Sequence, residues 1–321
     1  MIKHVKTLAA CLSALLLAGC AASPTPAPTT TCYHVAMIAK STSTEFWSAV
    51  FAGAEAAATE YNMDLTITGS ESEEDYSSQN DLIEKAVEEG AQAIIFSASD
   101  YQKNAAAIDA AADKGVRIVV VDSAVNSSKV SAYVGADNYG AGQMAAKSAL
   151  ENVEGPLHVG LVNYNVNSPN AQEREEGVID TLTASGRAEV AATVYSVATP
   201  ENARAETLTM LARHPEINVL ISFNEAVSVG AAQAVSDLDR ADDLWMVAFD
   251  SNITTVDALH TGAVDAMVVQ NTYGMGYFSV ENAYKLLAGQ GSDVTRETET
   301  ATRIIDRSNI FALDGQKAVF P

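Results

Sequence analysis

Short apolar runs alternate with longer amphipathic stretches along most of this chain. Residues 34–39, HVAMIA, predict a strand, and the alanine-rich residues 45–61 predict a helix. The rhythm continues with a strand at 64–68, a helix at 76–89, a strand at 93–96, a helix at 102–114 and a strand at 116–121. Further strands are predicted at 132–134, 157–162, 190–195, 219–223, 244–249 and 266–269, with helices between them. Short Val- and Ile-rich strands separated by helices make βαβ units, which build parallel sheets covered on both faces. Right-handed crossovers then wind helices to both sides of the sheet. So many strands exceed one small sheet. The expected fold class is α/β, with two doubly wound parallel-sheet domains. Chain breaks are expected at Gly135-Ala-Asp-Asn and near Gln270-Asn-Thr-Tyr.

What ends each strand carries the first functional signal. The apolar runs deliver Ser97, Asp122, Asn224, Asp250 and Gln270 at their carboxyl edges. In open α/β sheets ligands bind outside those edges. One such residue is commonly a helix N-cap. Repetition across both halves of the chain points instead to a polar floor.

Phe46 and Trp47 adjoin just after the first strand, and adjacent helical residues do not face one core stripe. One of them is expected in the core and the other exposed or against a ligand. Arg174, in NAQEREEG, is a cation near the start of a helix, where the dipole disfavours it. It is expected to pair with a ligand or an acid. The acidic run 71–75, ESEED, reads as a solvated loop. Carboxylates, carboxamides and a guanidinium suit hydroxyl groups, and aromatic faces suit the C–H face of a sugar ring.

The amino terminus adds an address. Lys3 and Lys6 precede an apolar run at 8–17, about half the ~20 residues that span a bilayer. Leu17-Ala18-Gly19-Cys20 follows and resembles a bacterial lipobox, which implies cleavage before Cys20 and lipid on its thiol. Residues 1–19 are then the signal, and residues 20–32, with Pro24, Pro26 and Pro28, a flexible tether. Cys11 leaves with the signal and Cys20 takes lipid, so Cys32 has no partner for an internal disulfide. The net charge of −22 becomes more negative when two lysines leave with the signal, and such a surface repels nucleic acid.

Little points to an enzyme. The histidines at 34, 158, 214 and 260 have no metal spacing, and neither G-x-S-x-G nor a dinucleotide-type G-x-G-x-x-G appears at a strand–helix turn. No cofactor and no metal are expected. The glycine-rich 135–142 segment reads as hinge or helix packing.

The motifs STEFW (43–47), VVD (120–122), GADNYGAG (135–142), EREEG (173–177), ISFN (221–224), VAFD (247–250) and VVQ (268–270) together resemble the sugar-binding periplasmic proteins of the ribose-binding type. The likeness runs from about Tyr33 to Ile310. It implies the type I periplasmic binding protein fold, two α/β domains joined by three crossovers that close over one sugar. The implied N-terminal domain is 33–135 with 271–300, and the C-terminal domain 136–270 with 301–321. Phe46 and Trp47 match the aromatic pair of that family, and Asp122, Arg174, Asn224, Asp250 and Gln270 its polar contacts. Ser97 and Asp100 fall where it often has another polar contact. Thr44, Ser123 and Ala198 depart from ribose binders, which imply an asparagine, an arginine and an aromatic there. A roomier, less basic pocket is expected, suited to a hexose, another pentose or a polyol.

The resemblance also implies an ABC permease with its ATPase as partner, a monomeric, non-enzymatic receptor, and an extracytoplasmic place anchored to the membrane by lipid. Repressor effector domains share this fold, but they need an N-terminal helix-turn-helix where this chain carries its lipobox. The alternative is a receptor for a sugar or furanosyl signal that presents its closed form to a membrane sensor.

Overall fold

Six strands on each side of the cleft set the architecture of the computed structural model, which describes residues 32–320. The signal, Cys20 and most of the tether lie outside the described residues. The first sheet runs β1 (His34–Ala39), β2 (Asp64–Gly69), β3 (Ala93–Phe96), β4 (Arg117–Val121), β5 (Ala132–Gly135) and β11 (Glu297–Glu299), in the spatial order β11-β5-β4-β3-β1-β2. The second runs β6 (Leu157–Asn163), β7 (Ala188–Tyr195), β8 (Val219–Ser222), β9 (Trp245–Phe249), β10 (Ala266–Gln270) and β12 (Thr302–Asp306), in the order β12-β10-β9-β8-β6-β7. Every pairing is parallel except β10 with β12, whose antiparallel register sets Ala266 against Asp306. The chain passes between the sheets after β5, after β10 and after β11. The expected fold class, two parallel-sheet α/β domains, is the observed one.

Burial explains why the strands read as unbroken apolar runs. In β1, Val35, Met37 and Ala39 face one core while Ala36 and Ile38 face another on the opposite side of the sheet. β4 divides likewise, Val119 and Val121 to one side, Ile118 and Val120 to the other. A strand covered on both faces has no polar side to alternate with. The second sheet sits in a single large core that includes Val159, Leu161, Ile221, Val247, Phe249 and Val268.

Helix packing fixes what stands over the cleft. α4 (Asn138–Asn152) lies against α5 (Pro169–Ser185), and a Cβ on Gly142 would fall 2.1 Å from the Arg174 carbonyl oxygen. A Cβ on Gly177 would meet the Tyr139 carbonyl equally closely, so each glycine admits the partner backbone. This is helix packing by the glycine-rich segment, and it holds Arg174 at a set depth.

Most boundaries differ from expectation by one or two residues, the ordinary uncertainty of helix and strand ends. One difference has a cause. The helix expected at 102–114 forms as α3 (Ala105–Asp113). The Asp100 carboxylate accepts the backbone N–H groups of Gln102 and Lys103 at 3.0 and 2.9 Å, which holds those residues in a turn. β11 and β12 were not expected; ETE and TRIID lack an apolar run and sit at sheet edges.

Candidate ligand-binding site

A cavity of about 20 Å³ lies where the carboxyl ends of both sets of strands meet. Its walls include Thr44, Phe46, Trp47, Asp122, Arg174, Asn224, Asp250 and Gln270. These come from α1 (Glu45–Glu60) and its cap, from β10, from the turns after β4, β8 and β9, and from α5. The strand-end rule thus gathers residues far apart in sequence. Ser97, Asp100 and Ser123, also expected at the site, do not line it. Ser97 is buried behind the floor and donates to Asp122 Oδ2 at 3.1 Å. Asp100 is taken up by its own turn, and Ser123 is fully buried, with its backbone N–H on Ser97 Oγ at 3.3 Å. A larger hollow of about 670 Å³ beside the first crossover shares only Asn170 with this cavity.

The two aspartates of the floor share a local geometry. Both have positive φ, +61° at Asp122 and +65° at Asp250. That conformation is uncommon outside glycine, though tolerated by Asp. Each donates its backbone N–H to the next strand, to the Val134 and Val268 carbonyls, both at 2.9 Å. The kink ends the strand and turns the carboxylate into the cleft.

Their surroundings differ. Asp122 Oδ2 lies 3.6 Å from Lys40 Nζ, and Asn170 Nδ2 donates to Oδ1 at 2.7 Å. Burial works against the Lys40 charge, but Tyr164, Asp122 and Glu73 outweigh it and hold the amine above the ordinary lysine range. Asp250 Oδ1 accepts from Gln270 Nε2 at 2.7 Å. Burial pushes the Asp250 carboxyl up to about 7 despite Arg174 nearby. Arg174 itself donates to Asn138 Oδ1 at 2.9 Å and to the Phe223 carbonyl at 2.8 Å, with its guanidinium 4.8 Å from the Phe249 ring centre. Its protein partners are an amide, a carbonyl and an aromatic face; an acid, one of the two expected partners, is not among them.

Phe46 and Trp47 both line the cavity, edge to face with centroids 5.2 Å apart. Trp47 is core and cavity wall at once, 1% exposed. Its indole N–H donates to Glu73 Oε1 at 3.3 Å. Glu73 departs from the solvated reading of the acidic loop, whose Glu71, Ser72 and Asp75 are exposed. It reaches into the cavity, where burial raises its carboxyl, and it also accepts from Asn224 Nδ2 at 3.3 Å.

Lys40, Glu73, Tyr164, Asn170 and Glu225 are cavity residues the strand-end search missed. Lys40 was within its reach, since it directly follows β1. Glu225 accepts the backbone N–H groups of Glu45 and Phe46 at 3.1 and 2.7 Å, at the start of α1 on the other side of the cleft. The amino end of a helix favours such a carboxylate. Lys40, Glu73 and Tyr164 fill space in the cavity, and Lys40 brings a cation beside Arg174. At about 20 Å³ it holds little more than a water molecule or two. Among the described residues no group of three His, Cys, Asp or Glu is placed to hold a metal ion.

The periplasmic binding protein domain family matches residues 35–291. A D-ribose/D-allose-binding protein of Pseudomonas aeruginosa is 31% identical over 121 residues, which is 38% of this chain and 38% of that protein. A sugar transporter structure from Clostridium phytofermentans is 31% identical, covering 86% of this chain and 99% of its own, with a TM-score of 0.78. A glucose-galactose binding protein from Geobacillus stearothermophilus is 26% identical over 87% of this chain and 99% of its own, with a TM-score of 0.81. The chain belongs to the periplasmic binding protein domain family.

Proposed function

We propose that this chain captures a monosaccharide or related polyol in its cleft and delivers it to an ABC importer. The observation that carries this reading is the floor of Asp122, Asp250, Asn224 and Gln270 beside the aromatic pair, all in one cavity. Buried carboxylates and carboxamides require hydrogen-bond partners, and a polyhydroxylated ring supplies donors and acceptors on every side. The named relatives and neighbours bind or transport sugars, which supports the same reading.

The mechanism is closure. Segments 33–135 with 271–300 act as one body and segments 136–270 with 301–320 as the other. Ligand held from both sides favours the closed form by its differential affinity for it. Contacts across the cleft are ready to take part: Asn170 to Asp122, Glu225 to the start of α1, and the Ala198 N–H to Glu74 Oε1 at 2.9 Å. A permease with its ATPase then recognises the closed monomer. Lipid on Cys20 and the proline-rich tether hold the receptor outside the cytoplasm near that partner, raising its effective concentration. The family's periplasmic association supports this address.

A thermal-shift screen of the mature protein against monosaccharides and polyols tests the reading. A stabilising sugar, confirmed by calorimetry and accompanied by a smaller scattering radius, is the expected result. No response to any member of the panel would refute it.

A further inference from the structure

The cavity holds more acidic groups than cations. Four carboxyl groups line it, Glu73, Asp122, Glu225 and Asp250, against Lys40 and Arg174. Lys40 is committed to Asp122 at 3.6 Å. Among the described residues, no lysine, arginine or histidine nitrogen lies within 4.0 Å of Glu73, Glu225 or Asp250. Burial raises both Glu73 and Asp250, outweighing the lowering effect of Lys40 on the first and of Arg174 on the second.

A second observation concerns two amides. Asn170 and Gln270 line the same cavity at 2% and 3% exposure. Each gives its NH₂ group to an aspartate, Asp122 and Asp250, at 2.7 Å. An unprotonated carboxyl oxygen only accepts, so rotating either amide against it would set oxygen against oxygen. The amide oxygens are therefore the ends left over. Asn170 Oδ1 and Gln270 Oε1 are buried and have no hydrogen-bond partner. Both unmet atoms are acceptors.

A sugar hydroxyl can donate to such an oxygen but brings no charge. A protonated amine brings three donors, no acceptor and one positive charge. Building on the capture reading above, we propose that the ligand is an amino sugar or amino polyol, with its ammonium group set among Glu73, Glu225 and Asp250. The chain's net charge of −22 favours the approach of a cation over an anion.

Calorimetry on the mature protein tests this with matched pairs: D-glucose and D-glucosamine, D-galactose and D-galactosamine, D-mannose and D-mannosamine. At least one amine is expected to bind about tenfold or more tightly than its neutral partner, and N-acetylation to remove that advantage. Glu73→Gln should bring the ratio of the pair towards one, whereas Glu73→Asp should keep it. A neutral sugar that binds as tightly as its amine overturns the proposal and leaves sugar capture standing. If neither member of any pair binds while a different neutral sugar or polyol does, the proposal again fails alone. If no amine, sugar or polyol binds, both readings fail. A wild-type preference for the amine that survives N-acetylation also overturns it, because the charge would then not be what is recognised.

Discussion

Asp122 and Asp250 occupy matching places in the two domains. Each follows a central strand, adopts positive φ, bonds its N–H to the neighbouring strand and lines the cavity. Each is followed by serine. Yet Asp122 has a buried lysine, a serine hydroxyl and an amide from across the cleft, while Asp250 has one amide and an elevated pKa. The fold sets where the carboxylate stands; neighbours from other elements set what surrounds it. One aspartate sits within a buried ion pair with Lys40. The other is poised to exchange a proton near neutral pH.

The largest expected effect breaks the first half of that contrast. Asp122→Ala leaves Lys40 buried without its partner, and removing one side of a buried pair costs about 3–5 kcal/mol. Urea unfolding should show that loss together with loss of ligand binding. A variant as stable as the parent would mean that the pair is not the anchor of this floor.

Asp250→Asn should behave in the opposite sense. Burial raises the Asp250 pKa from 3.8 to about 7, so the folded chain keeps a proton that the unfolded chain releases. The stability this proton lends is complete below the ordinary value and declines as pH rises to about 7, by on the order of 4 kcal/mol. Asparagine is neutral throughout. The variant should therefore lack this decline between pH 4 and 7 and match or exceed the parent in stability at pH 8, while binding ligand about tenfold more weakly. Parallel pH profiles for parent and variant would count against the raised pKa.

Glu225 sharpens the comparison, because it joins the domains without belonging to either floor strand. Its carboxylate accepts two N–H groups of α1 and one from Asn252 Nδ2 at 3.0 Å. Glu225→Gln replaces one acceptor oxygen by a donor that faces N–H groups. The closed form should lose about 1.5–3 kcal/mol, seen as a larger scattering radius and a faster ligand off-rate. An unchanged profile would show that closure does not depend on this contact.

How much of this was legible in the sequence follows from what each residue answers to. Strand-end residues such as Asp122, Asn224, Asp250 and Gln270 obey a rule tied to one element, and periodicity locates that element. Lys40 obeys the same rule, but a lysine opening a Ser/Thr-rich loop reads as solvated. Glu73 and Asn170 owe their place to the other side of the cleft: Glu73 meets Asn224, and Asn170 meets Asp122. Pairings 151 and 48 residues apart leave no local pattern. Ser97 and Ser123 show the converse, since a polar residue at a strand end can be spent on supporting its neighbour.

The smallest expected effect separates two caps. Thr44 caps α1 by accepting the Trp47 N–H at 3.3 Å, and Asn224 caps α7 (Glu225–Asp237) by accepting the Val227 N–H at 2.9 Å. Both line the cavity, so both could be mistaken for plain ligand contacts or for plain caps. Loss of either cap costs about 1 kcal/mol of stability. Only Asn224 also reaches across the cleft, donating to Glu73. Thr44→Ala and Asn224→Ala should therefore destabilise the chain to a similar degree, while Asn224→Ala alone also weakens ligand binding through the lost closure contact. Equal losses of affinity would place the two residues in the same role and remove the Asn224–Glu73 contact from the closing mechanism.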